Sequence, residues 1–140
     1  MVNQFYPISN YAVNPSIPKT LGTALSEAID TYEASIYTAA AIMCRRTLDG
    51  FCAENGATKK NLAANLKELR DNGTINDQLY EWADALRLSG NEVAHDVQVT
   101  FSAEDAQDLL DFTVAILDFT YSFRVKFEAF RMRRGKSAGE

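Results

Sequence analysis

From residue 20 to about residue 132, apolar side chains return every three or four positions, and short polar signals cut the pattern into segments. That period belongs to amphipathic helices, and a chain that keeps it for most of its length has no material for a sheet. Helices are expected over 20–31 (Leu21, Leu25 and Ile29 inward), 34–54 (Ile36, Ala40, Met43, Leu48, Phe51) and 58–71 (Leu62, Leu66, Leu69). A fourth is expected over 76–89, carrying Leu79, Trp82, Ala83 and Leu86. Asn55-Gly56 and Asn72-Gly73 read as helix C-caps, and Thr58 as an N-cap. Gly90 reads as a break, with Asn91 capping a short turn that reaches His95. Val97–Phe101 alternates like a strand but has no partner, so it reads as an extended connector. The fold class is therefore all-α: a bundle of about five helices preceded by an extended N-terminal arm that holds all three prolines, Pro7, Pro15 and Pro18.

The last helix starts at Ser102-Ala-Glu-Asp105, a capping box with Asp in place of Glu, and runs to about residue 132. At about 100° per residue it carries two apolar stripes. One is Leu109, Phe112, Ile116, Phe119, Phe123, Phe127 and Phe130; the other is Leu110, Val114, Leu117, Tyr121 and Val125. A thin bundle covers one such stripe more readily than two. The second is assigned to a second subunit, which makes the expected assembly a homodimer through the C-terminal helix.

With 140 residues the chain is one domain. The expected division is an arm over 1–19, a helical domain over 20–132 and a basic flexible tail over 133–140. No run nears the roughly 18 apolar residues of a membrane span, so no membrane partner is expected. No basic region followed by an apolar stretch opens the chain, and a reducing cytoplasm is the expected compartment. Cys44 and Cys52 are eight positions apart on one helix, about 12 Å along its axis, too far for a disulfide. They read as apolar core residues. A net charge of −5 argues against wrapping duplex DNA, although the C-terminal end, with Arg124, Lys126, Arg131, Arg133, Arg134 and Lys136, is strongly basic.

Chemistry concentrates in Arg87-Leu-Ser-Gly-Asn-Glu-Val-Ala-His95-Asp96, which holds the one histidine. An imidazole titrates near neutral pH, and an arginine beside it suits phosphodiester chemistry. His95, Arg87 and Asn91 are the candidate catalytic residues. Arg45, Arg46 and Asp96 are candidate ligand-binding residues, since two arginines interrupt an otherwise apolar helix and Asp49 lies one turn on. No glycine-rich phosphate loop, nucleophile elbow or metal-ligand spacing is present, so neither cofactor nor metal is expected.

The segments Ala39–Asp49, Lys60-Asn-Leu62, Leu79-Tyr-Glu-Trp-Ala83 and Arg87–Asp96 resemble the domain-of-unknown-function family 4145 (DUF4145), over about residues 15–130. That family is placed in the HEPN superfamily (higher eukaryote and prokaryote nucleotide-binding). The resemblance implies a HEPN-like helical bundle, commonly dimeric, in a prokaryotic defence or toxin-related setting. The ribonuclease branch of the superfamily places an arginine, a polar residue and three variable positions before its histidine. Counted back from His95, Asn91 fits the polar position and Gly90 stands where the arginine would be. The resemblance thus implies first an interaction or regulatory module that binds a protein, RNA or nucleotide near His95. In that reading Asn91 caps the turn, His95 packs against or hydrogen-bonds the facing helix, and Arg87 neutralises Asp84 or Asp96, or contacts an anionic ligand. The alternative is a metal-independent endoribonuclease using His95 with Arg87, or with Arg46, as the cation.

Overall fold

In the computed structural model, which describes residues 11–139, the second helix sits at the centre and the first, third, fourth and fifth pack round it. In chain order the helices are α1 (Lys19–Glu33), α2 (Tyr37–Glu54), α3 (Leu62–Asp71), α4 (Asp77–His95) and α5 (Ala103–Leu117). A five-residue π-helical segment (Asp118–Ser122) then leads without a break into α6 (Phe123–Gly139), so five rods carry the six helices. The described residues are 76% helical and hold no strand, as the periodicity requires. Helix α2 can be central because its inward face is Ala40, Ala41, Cys44, Thr47, Leu48, Phe51 and Cys52, all buried. Gly50 leaves room for α1, where Leu21 Cδ2 would stand 3.0 Å from a Cβ at that position.

Most helix ends follow the local chemistry. Gly56 and Gly73 both adopt φ +83°, the left-handed conformation that closes α2 and α3 and that only glycine reaches without strain. Ser102 and Asp105 form the full capping box: Ser102 Oγ accepts from Asp105 N–H, and Asp105 Oδ2 accepts from Ser102 N–H, each at 3.1 Å. Helix α3 starts at Leu62 rather than at 58, because Asn61 and not Thr58 caps it, accepting from Ala64 N–H at 2.8 Å. Between α1 and α2, Ser35 takes φ +66° and Ile36 N–H donates to the Thr31 carbonyl, so the chain reverses before α2 begins at Tyr37. The segment expected to be extended, Val97–Phe101, opens instead on a turn at 97–98 closed by Val99 N–H on the Asp96 carbonyl at 3.1 Å, and Phe101 N–H then donates to Thr38 Oγ1 at 3.0 Å. Of the arm, residues 1–10 lie outside the described residues. Tyr11, Val13 and Ile17 lie on the core, and the Tyr11 hydroxyl donates to Asp111 of α5.

Gly90 does not break the fourth helix, which runs unbroken from Asp77 to His95. Gly90 is buried at the crossing with α2, and a Cβ there would stand 2.6 Å from Arg45 Cδ. The glycine serves a close approach, and packing against α2 outweighs its helix-propensity cost of about 1 kcal/mol. Asn91 is therefore a mid-helix residue and caps nothing; Asn76 caps α4, accepting from Leu79 N–H at 2.8 Å.

The final rod, α5 through the π segment to α6, also departs from the expected single helix. Over 109–117 the protein's own core takes both stripes, burying Leu109, Leu110, Ile116 and Leu117 together. The π segment then adds close to one residue to the turn, and side-chain phase slips by roughly 100°. Tyr121 holds this segment to α2: its ring meets Phe51 edge-on at 6.1 Å, and its hydroxyl accepts from Asn55 Nδ2 at 2.8 Å. Beyond it, Phe123, Val125, Phe127, Phe130 and Met132 are all exposed. The basic residues 133–136 continue the helix rather than forming a separate tail.

Candidate functional site

Because α4 is continuous, Arg87, Asn91 and His95 fall at i, i+4 and i+8 and form one row along a single face. The row is about 12 Å long, with Asn91 midway. Exposure rises along it: Arg87 and Asn91 are half-buried, and His95 is exposed at the last turn. His95 therefore does not pack on a facing helix. Its imidazole is open to solvent, where proton transfer to an outside group is sterically free.

Arg87 is already engaged. Its guanidinium contacts Asp84 one turn earlier, through Nε at 2.9 Å and Nη2 at 2.8 Å, with both side chains largely covered. Both contacts converge on one oxygen, Asp84 Oδ1, so the ion pair orients the guanidinium and takes up part of its charge. Asp96, just past the helix end, accepts from Gln98 N–H at 2.9 Å, so its carboxylate serves the turn that starts the connector. The row as a whole holds one tied cation, one amide and one free imidazole.

The two arginines of α2 part company. Arg46 points to α1, where Nη1 meets Glu27 at 2.7 Å, and it lines a shallow cleft with Lys19, Thr20 and Gly50. Arg45 crosses over Gly90, its Cβ and Cδ both within 2.7 Å of where a side chain at position 90 would start. Its charge has only a loose partner, Asp49 Oδ2 at 3.8 Å. Arg45 Nε is buried without a hydrogen-bond partner among the described residues. A buried unsatisfied donor typically costs about 1–3 kcal/mol, which makes this guanidinium the least satisfied cation of the site. The low-dielectric setting shows in Asp49 too: burial raises its pKa, and Arg45 pulls it partly back.

Arg45, from α2, and the α4 row therefore meet at one helix crossing, whereas Arg46 lies apart from it. The sequence marked both arginines but could not choose between them. The signal that chooses is Gly90, whose missing side chain leaves room for the stem of Arg45.

The cysteines take no part. Both are free and buried. Burial pushes the Cys44 thiol up to about 11; Cys52 is pushed to about 12 by burial first, then by Asp49 and Glu68. Such thiols are poor nucleophiles and poor metal ligands near neutral pH. Among the described residues no group of three or more His, Cys, Asp or Glu side chains is placed to hold a metal ion. No described helix is long and apolar enough to cross a membrane.

A helical bundle with a solvent-facing histidine row on its fourth helix is the class the geometry defines. The family model described as Domain of unknown function (DUF4145) matches residues 26–134, and the chain belongs to that family. No curated protein and no solved structure matches it.

Proposed function

We propose that the protein is a HEPN-like, dimeric interaction module of a prokaryotic defence or toxin-related system, binding a phosphate-bearing partner, RNA or nucleotide, at the Arg87–Asn91–His95 row. The observation that carries this reading is the continuity of α4 across Gly90. It aligns an amide and an imidazole with a cation, and brings a second, under-satisfied cation, Arg45, to the same crossing. Guanidinium groups recognise phosphate through paired donors, and the terminal nitrogens of Arg45, on a side chain one-third exposed and held only loosely by Asp49, supply them. The acidic surface elsewhere on the body favours a short contact with a strand or a nucleotide over a long duplex.

The test is fluorescence anisotropy of a labelled single-stranded RNA with the full chain. Binding should weaken at least tenfold in Arg45→Ala and in His95→Ala, and should hold in Arg46→Ala. Equal effects from Arg45 and Arg46 would remove the α4 crossing from consideration.

The endoribonuclease reading has one specific observation in its favour, the exposed His95 imidazole, free to move a proton at a ribose 2′-hydroxyl or a leaving 5′-oxygen. Against it stands the engagement of Arg87 with Asp84, two turns from His95. Cleavage of single-stranded RNA in the presence of a chelator, abolished by His95→Ala in a folded protein, would make catalysis the function and binding its first step.

A further inference from the structure

Helix α6 is 17 residues long, about 25 Å, and among the elements it packs only against the π segment from which it grows. It exposes Phe123, Val125, Phe127, Phe130 and Met132. An isolated helix of this length is marginal in water, and Phe123, Phe127 and Phe130, which share one face while Val125 and Met132 lie opposite, call for a cover. The rod continues α5 without a turn, so α6 cannot fold back onto its own α5.

Charge identifies the cover. Within Phe123–Gly139 there are six cations and one carboxylate, net +5, whereas residues 11–122 hold eight cations and seventeen carboxylates, net −9. The acid is not spread evenly. Along α5 and into the π segment, Glu104, Asp108, Asp111 and Asp118 recur with Ala115 at spacings of four and three, one stripe about 21 Å long. The stripe borders a groove of about 520 Å³ between α4 and the α5–π rod, whose walls include Leu79, Trp82, Val114, Phe119 and, at its end, Phe123, the first residue of α6. Trp82 stacks on Phe112 of α5 with ring centres 5.7 Å apart, beside the groove. An apolar groove with a carboxylate edge matches a helix with exposed phenylalanines and six cations in both chemistry and length.

A symmetric α6–α6 seam is the other self-association available, and charge disfavours it. Phe123, Phe127 and Phe130 follow a four–three spacing, so Arg124, Lys126, Arg131 and Arg133 would flank the seam. Two copies would then set cations against cations. We propose that two copies of this chain dock reciprocally, α6 of each lying in the α4–α5 groove and along the acidic α5 stripe of the other. The proposal rests on the dimeric part of the reading above and specifies its contact. Two arms and two grooves, each roughly 25 Å by 10 Å, remove about 1,000 Å² in total, the size at which specific association begins.

Sedimentation equilibrium of the full chain tests it. The expected result is a dimer at about 10 μM that weakens at least tenfold as salt rises through the range where charge is screened. Phe127→Glu with Phe130→Glu (arm-broken) and Asp108→Lys with Asp118→Lys (stripe-broken) should each weaken the dimer at least tenfold. Circular dichroism and melting should stay those of a folded monomer, since the changed side chains are exposed or half-exposed. Arg131→Glu with Arg134→Glu gives the same information should the first arm pair disturb helix α6. Mixing arm-broken with stripe-broken protein should restore heterodimer, because one intact arm meets one intact stripe. A dimer that loses only to arm variants and is not restored by mixing is an α6–α6 seam and overturns the docking mode. A dimer indifferent to both sets also overturns it, while dimerisation itself survives. A wild-type monomer at 100 μM overturns both.

Discussion

The stem of Arg45 occupies the space a side chain at Gly90 would need: a Cβ there would stand 2.6 Å from Arg45 Cδ and 2.7 Å from Arg45 Cβ. The second of these atoms is fixed by the α2 backbone, so rotation of the arginine cannot relieve it. Gly90→Ala should therefore destabilise the protein by up to about 2 kcal/mol net, overpacking of about 1–3 kcal/mol being set against a gain of about 1 kcal/mol in helix propensity. Urea unfolding of the two proteins measures it. A Gly90→Ala protein more stable than wild type would mean that α2 and α4 are not held this close.

Removing the capping box offers a cleaner stability measurement, since it touches neither core nor site. Ser102→Ala leaves Asp105 N–H without its acceptor and should cost about 1 kcal/mol, within a usual range of about 0.5–2 kcal/mol. Asp105→Asn keeps the shape but weakens the return contact to Ser102 N–H and removes a charge from the first turn of α5. A smaller loss is expected there. Thermal melts of both variants settle the ranking, and an Asp105→Asn loss larger than that of Ser102→Ala would contradict it.

Buried acids with raised pKa values set the alkaline limit of the fold. Cys44 is held near 11 and Cys52 near 12 against an ordinary 9.0, in each case by burial first. Tyr11 is raised as well, by burial and then by its hydrogen bond to Asp111. All three keep their protons longer in the folded state than in the unfolded one. The stabilisation is therefore complete below about pH 9 and is lost as pH climbs through the folded values. Melting temperature should be flat from pH 7 to 8.5 with respect to these groups and fall between pH 9 and 11. In Cys52→Ala the fall should be shallower, and an unchanged slope would remove Cys52 from the cause.

The all-α fold was legible because each helix-scale signal is local. The apolar period, the two Asn-Gly stops and the Ser102–Asp105 box need no knowledge of neighbours, and each sits where expected. Gly90 misled for the opposite reason. Its role lies in a crossing with Arg45, 45 positions away, which no window along the chain contains. The final helix misled through phase. A wheel drawn straight through 109–130 assumes constant turn angle, and the π segment at 118–122 breaks that assumption. Of the candidate site, the α4 residues were legible by type and spacing. Their alignment as one row was not, because it depends on the helix surviving Gly90.

The row on α4 also separates a structural histidine from a functional one. His95 is exposed on the last turn, so His95→Ala should change stability by no more than about 0.5 kcal/mol, the range for surface positions. Arg87 differs, being half-buried with its guanidinium on Asp84. Arg87→Ala leaves Asp84 partly buried and unpaired and should cost about 1–3 kcal/mol. Arg87→Lys should recover only part of that, because an ammonium cannot reproduce the paired contacts. The two residues should thus split by readout in RNA anisotropy and urea unfolding run side by side. His95→Ala should lose binding and keep stability, while Arg87→Ala should lose stability first. A His95→Ala protein destabilised by 2 kcal/mol would place the imidazole in the packing of α4 and withdraw it from the proposed contact with phosphate.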